Sequence, residues 1–219
     1  MRVILFGESG MVGQGVLREC LLDPEVTAVL SIVRNSSGQQ HGKLWEIVHK
    51  DFFDFSTIES ELSGLDACFF CLGVSSAGMS EEKYRLVTYD IALAAAETLV
   101  KVNSNITMVF ISGAGTDSSE RGRVMWARVK GQTENALLRL PFKAAYMFRP
   151  GVIVPLHGIK SRTLLYRIPY IVLGPILPSL QRLFPKYVTT TEKLGRAMLI
   201  AAKRGAPKKV LESADINNL

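Results

Sequence analysis

Seven residues near the start of the chain, Gly7-Glu8-Ser9-Gly10-Met11-Val12-Gly13, restrict its possible folds more than any other stretch. They join the apolar run Arg2 to Phe6, which reads as a strand, to a segment of helical periodicity from Met11 to Leu22. Each glycine then has a separate task. Gly7 makes the tight turn, Gly10 lets a bound group approach the backbone, and Gly13 lets the helix pack close to the strand. The unbonded N–H groups opening the helix, reached past Ser9, Met11 and Val12, form a ready site for a phosphate.

The rest of the chain repeats that strand-to-helix step. Strands are predicted at Arg2 to Phe6, Ala28 to Val33, Trp45 to His49, Ala67 to Leu72, Thr107 to Ile111 and Ala144 to Arg149. Helices are predicted at Met11 to Leu22, Ser56 to Leu62, Glu81 to Val102 and Val124 to Leu140. This alternation implies an α/β fold, a doubly wound and mostly parallel Rossmann sheet. It stops after Pro150. The reading is therefore one domain, with residues 1–150 as a cofactor-binding core and residues 151–219 as a small C-terminal appendage, a lid or substrate-binding element. Within the appendage a helix is expected from Thr191, its N-cap, to Lys203, ending at Gly205.

A dinucleotide suits such a turn, and the end of the second strand indicates which one. About twenty residues past the last glycine, an NAD site places an acid to bond the ribose hydroxyls. This chain has Arg34-Asn35-Ser36 there, with no acid close by in sequence. A guanidinium attracts a 2′-phosphate, so NADP is expected, NADPH being preferred over NADH. The alternative is that Arg34 is a solvated residue at a strand end.

The spacing Gly-x-x-Gly-x-x-Gly resembles that of the short-chain dehydrogenase/reductase superfamily in its extended and atypical branches. Later segments share the likeness. Asp51-Phe52 resembles the acid and hydrophobe that contact adenine in that family, and Leu72-Gly73 lies where the family's chain passes the cofactor ribose. Ser112 occupies the place of the catalytic serine. Pro150-Gly151-Val152 resembles the turn beside the nicotinamide. Val129-Lys130-Gly131 with Glu134, Phe148 to Val152, Arg196-Ala197-Met198-Leu199 and the chain's end are similar to the Tat-interacting-protein-like oxidoreductases, an atypical, epimerase-like group.

The resemblance implies a catalytic serine, tyrosine and lysine, and this chain departs from it at the tyrosine. Lys130 stands in place, where it would hold the nicotinamide ribose, but four residues before it is Trp126. The i,i+4 spacing keeps both on one helix face. An indole N–H, however, donates a hydrogen bond without releasing a proton near neutral pH. Three readings stay open. Ser112, water, Tyr84 or Tyr89 handles the proton, or the protein binds NADP(H) without turnover as a regulator or redox sensor, or Trp126 sits elsewhere in the register.

Other chemistries find little support. The formal charge of +6 suits an anionic ligand, yet the most basic stretch, Lys203 to Lys209, has no interleaved aromatics and no nucleic-acid-binding pattern. No metal is expected, because His41, His49 and His157 lack ligand spacing and Asp51 and Asp54 read as adenine contact and cap. Cys68 and Cys71 form a C-x-x-C that a strand would split between opposite faces. Three cysteines without framework spacing, and a first strand that begins at once, predict a reducing cytoplasmic location without a signal peptide. The apolar stretch 164–184 is broken by prolines and arginines, so a transmembrane helix is not expected. That stretch reads as a substrate pocket or a surface for a protein partner or homodimer, with peripheral membrane contact as the remaining option. A small-molecule substrate is the expected partner.

Overall fold

The computed structural model describes residues 1–103, 105–159, 184 and 186–219. Its centre is a parallel sheet of seven strands in the order β3-β2-β1-β4-β5-β6-β9. These are β1 (Arg2–Phe6), β2 (Ala28–Val33), β3 (Leu44–Val48), β4 (Ala67–Phe70), β5 (Thr107–Ile111), β6 (Ala144–Arg149) and β9 (Val210–Glu212). Strand order reverses between β1 and β4, which opens a crevice at the carboxyl ends of the two strands, directly above the glycine turn.

Helices cover both faces, because alternate residues of the buried strands point to opposite sides. Ile4, Phe6, Cys68 and Phe70 pack with α3 (Ile91–Val102) and the end of α4 (Met125–Arg139). Val3, Leu5, Ala67 and Phe69 pack instead with α1 (Met11–Leu22) and α5 (Thr191–Arg204). Cys68 joins the first layer and Cys71 the second, so the C-x-x-C pair is divided as its spacing predicts.

Several local expectations are corrected. Ser56–Leu62 forms a 3-10 helix. The segment Glu81–Val102 is helical but is interrupted by a π turn at Leu86–Asp90, after α2 (Glu81–Arg85). The cap of α5 is Thr190, whose hydroxyl accepts from the Lys193 N–H at 3.0 Å, and Thr191 begins the helix.

Beyond residue 150 the chain rejoins the core. After a small parallel pair, β7 (Val152–Val154) with β8 (Val188–Thr190), the chain returns to the core. Helix α5 lies against α1, with Lys203 paired to Asp23 at 2.7 Å and Arg196 to Glu19 at 3.1 Å. Strand β9 then extends the central sheet and α6 (Ser213–Asn217) closes over it. The apolar stretch 164–184 lies outside the described residues apart from Phe184. Among the described residues no helix is long and apolar enough to cross a membrane.

Candidate functional site

The three glycines of the turn differ in what the fold asks of them. Gly7 takes φ +83° and presses on the end of β4, where a Cβ would stand 2.6 Å from the Leu72 nitrogen. A Cβ on Gly13 would fall 2.0 Å from the Gly7 carbonyl oxygen, so these two are demanded by packing. Gly10 has ordinary extended backbone, and a Cβ there would meet only that same oxygen, at 3.3 Å. Gly10 is also the N-cap of α1 and supplies no side-chain cap to the helix's opening N–H groups. Ser9 is exposed beside it, while Met11 and Val12 are half-buried. Across the crevice Leu72 is half-buried, and a Cβ on Gly73 would meet nothing within 4 Å.

On the β2 side, Arg34 and Asn35 are exposed at the strand's end. The expectation that Arg34 has no acid near it is corrected by the pairing of β2 with β3. Ser31 lies opposite Glu46, whose carboxylate accepts from the Ser36 and Ser37 hydroxyls and, at 3.1 Å, from the Ser37 N–H. Glu8, from the turn, is 4% exposed and interacts with that same carboxylate. Burial, with Glu46 adding to it, raises the Glu8 pKa. For Glu46 burial acts upward, but the serine donors outweigh it and hold that carboxyl below its ordinary value.

The adenine contact is also revised. Phe52 is 5% exposed and packs edge-on against Phe6 and Phe55 in the core. Asp51 and Phe53 are the neighbours presented to solvent, and the Asp51 carboxylate accepts from the Phe53 N–H at 3.0 Å. His49 stacks on Phe55 and bonds the Asp54 carbonyl at 2.8 Å, a structural arrangement.

On the β5 side the residues form a closed network. Ser112 is buried, and its hydroxyl faces two inward acceptors, the Glu134 carboxylate on α4 at 2.5 Å and the Phe148 carbonyl at 3.1 Å. Arg149, at the end of β6, donates to both oxygens of that carboxylate, through Nε at 3.0 Å and through a terminal nitrogen. Lys130 Nζ donates to the Ser112 carbonyl. Desolvation lowers the Lys130 pKa to about 8, with Glu134 acting in the opposite sense. Ser112 is thus placed beside Lys130, as the resemblance implies, but its hydroxyl is not free to polarise a substrate carbonyl.

The space next to Lys130 belongs to Gly113, whose Cβ would come 3.9 Å from Nζ and 3.9 Å from the Pro150 carbonyl. Trp126 lies one helical turn before Lys130, its ring 3.4 Å from where a Gly115 Cβ would be. Pro150 is buried, Gly151 and Val152 are exposed, and the Gly151 N–H donates to Ser213 at 2.7 Å. Tyr84 is 2% exposed and Tyr89 lies under the Arg85 guanidinium at 4.1 Å. Among the described residues neither bonds to the Lys130 network.

No family model matches the chain. It is 30% identical over 158 residues to the mitochondrial protein fmp52 of Emericella nidulans, a match covering 69% of this chain and 66% of that one. It is 25% identical over 214 residues to mitochondrial FMP52 of Meyerozyma guilliermondii, covering 92% and 85%. HTATIP2 of Rattus norvegicus is 25% identical over 155 residues, covering 69% of this chain and 62% of its own. The chain therefore spans just under two thirds of the first and last of these relatives. Among solved structures, MoeE5 in complex with UDP-glucuronic acid and NAD superposes with a TM-score of 0.69 at 14% identity, over 96% of this chain and 75% of that one. WbmF of Bordetella bronchiseptica, in complex with NAD+, gives 0.65 at 13% identity, over 99% and 76%.

The chain has a Rossmann fold and is a distant relative of HTATIP2. For this Rossmann protein the cytoplasmic expectation is withdrawn, because the fungal relatives are named as mitochondrial proteins. Sequence reasoning also missed two of its groups. Glu8 carries no recognisable signal in the sequence, standing between the glycines of the turn. The joint role of Glu134 and Arg149 was invisible, because only strand β6 brings them together.

Proposed function

We propose that this chain binds a nicotinamide dinucleotide, NADP(H) ahead of NAD(H), and transfers hydride between it and a small carbonyl or alcohol substrate. Gly10 carries the reading. The fold has a packing reason for Gly7 and Gly13 but only a weak one for Gly10, so its missing side chain is best explained by a ligand that approaches the backbone. The uncapped start of α1 supplies N–H groups for the pyrophosphate. Arg34 and Asn35 would meet the 2′-phosphate, Asp51 the adenine, Leu72 and Gly73 the ribose, and Pro150 to Val152 the nicotinamide side.

The cofactor would supply the hydride, and the chain must handle the proton. With Ser112 committed to Glu134 and Trp126 unable to ionise, Lys130 is the group suited to it, since an ammonium with a pKa of about 8 can release and regain a proton near neutral pH. The inward Ser112 hydroxyl also favours a second reading, a regulator that binds the cofactor without turnover. The names of the fungal relatives support a mitochondrial location.

Calorimetric titration with NADPH and NADH, followed by NADPH consumption across a panel of aldehydes and ketones, tests the proposal. Binding with turnover supports the oxidoreductase, and binding without turnover supports the regulator. Absence of binding to either dinucleotide overturns both.

A further inference from the structure

The turn after β2 is arranged to hold an anion, and the chain supplies the anion itself. Arg34-Asn35-Ser36-Ser37 leaves the strand, and the Ser36 and Ser37 hydroxyls and the Ser37 N–H, at 3.1 and 3.3 Å from the two oxygens, all donate to the Glu46 carboxylate. The hydroxyl oxygens accept from the Gly38 and Gln39 N–H groups at 3.2 and 3.1 Å, which leaves their protons for Glu46. Glu46 reaches them from β3, half-buried and opposite Ser31. Burial acts against its ionisation, but those donors outweigh it, so the charge is kept. Among the described residues no lysine or arginine pairs with Glu46, and Arg34 stays exposed. Hydroxyls and an N–H converging beside an uncommitted guanidinium are the donors that a phosphate monoester takes. This turn is where a Rossmann site meets the 2′ position of the adenosine ribose.

We propose that Glu46 is a specificity-determining residue: its carboxylate occupies, as an internal anion, the Ser36 and Ser37 donors that a 2′-phosphate would otherwise engage, and so limits the preference for NADPH created by Arg34. The inference deepens the dinucleotide reading above and rests on it. The two cofactors meet Glu46 on unequal terms. A 2′-phosphate must win the serine donors from a carboxylate of its own sign, whereas a 2′-hydroxyl needs no donor and can itself donate to that carboxylate. Removing the carboxylate therefore frees donors for NADPH, while NADH loses at most an acceptor. If Glu46 served only to fix the loop, its removal would act in the opposite sense. A loosened loop must be ordered again on binding, and that cost would fall hardest on the cofactor that uses the loop most.

The test measures the dissociation constants of NADPH and NADH by calorimetry for the full chain, for Glu46→Ala, and for Glu46→Ala combined with Ser36→Ala and Ser37→Ala, with circular dichroism to confirm folding. In Glu46→Ala the NADPH affinity should rise ~tenfold relative to NADH, as expected when about one charge-assisted hydrogen bond becomes available to the phosphate. Most of that gain should be lost in the combined variant, because the freed serine donors are what the phosphate takes. Glu46→Gln carries the same measurement should the alanine variant misfold, with a smaller rise because its amide oxygen still accepts from a serine. An unchanged or reduced preference for NADPH in the folded variant, or a gain undiminished by loss of both serines, overturns the role of Glu46 and leaves the dinucleotide reading standing. Failure of the unaltered chain to bind either cofactor overturns that reading, and this inference with it.

Discussion

The two ends of the crevice are built on opposite principles. Around Gly10 and Glu8 the groups are left wanting: the first turn of α1 has no side-chain cap, and Glu8 Oε2 and Ser31 Oγ lack partners. Around Lys130 the polar groups are tied to one another, with Glu134 taking Ser112 and Arg149, and Lys130 held on the Ser112 carbonyl. An end with unmet hydrogen-bonding capacity has polar groups left to offer a ligand. An end whose capacity is spent internally has few polar groups left to offer one.

The largest effect should come from confusing the two kinds of glycine. Gly13→Val should abolish folding, since its Cβ would lie 2.0 Å from a backbone oxygen, whereas Gly10→Val should stay folded and lose dinucleotide binding. Thermal melts beside calorimetry separate the two. If Gly10→Val still binds, the turn is not the phosphate site.

Next in size is the closed network. Glu134→Ala strands Arg149 and Ser112 in a buried setting, and a loss of about 3–5 kcal/mol in unfolding free energy is expected, measured by urea denaturation. A loss below ~1 kcal/mol, the scale of an exposed ion pair, would show that water reaches this cluster.

A third effect concerns pH. If Lys130 is the proton donor in carbonyl reduction, its charged form is the active one. It is present below its pKa and lost above it, so kcat/KM should fall as pH rises through about 8. The limb should vanish in Lys130→Met. A profile flat to higher pH assigns the proton to another group.

The smallest effect is expected at Trp126. Trp126→Phe should leave any turnover within about tenfold, ~1.4 kcal/mol, because no proton is lost with the indole. Trp126→Tyr restores a phenol one turn before Lys130 and should raise reduction of the aldehyde panel. A large loss in Trp126→Phe would make the indole part of the chemistry.

What could be read from the sequence was decided locally. The limits of β1 and α1 follow from apolar runs meeting a glycine turn, and the seam between Cys68 and Cys71 follows from strand alternation. Lys130 and Trp126 share a helix face by spacing alone. Tertiary structure decided whatever depends on strand order and register. The place of β9 beside β6 returns the chain's end to the core, and nothing in the local pattern of Val210–Glu212 announces it. Phe52 turns inward and Phe53 outward because an aromatic cluster from β1 and β4 waits on one side only. Glu8 meets Glu46 because β2 and β3 pair with Ser31 opposite Glu46, and Ser112 meets Glu134 across 22 residues because α4 folds back over β5. Spacing along a chain records which groups can share a face of one element. Which charges confront each other is settled only when separate elements pack.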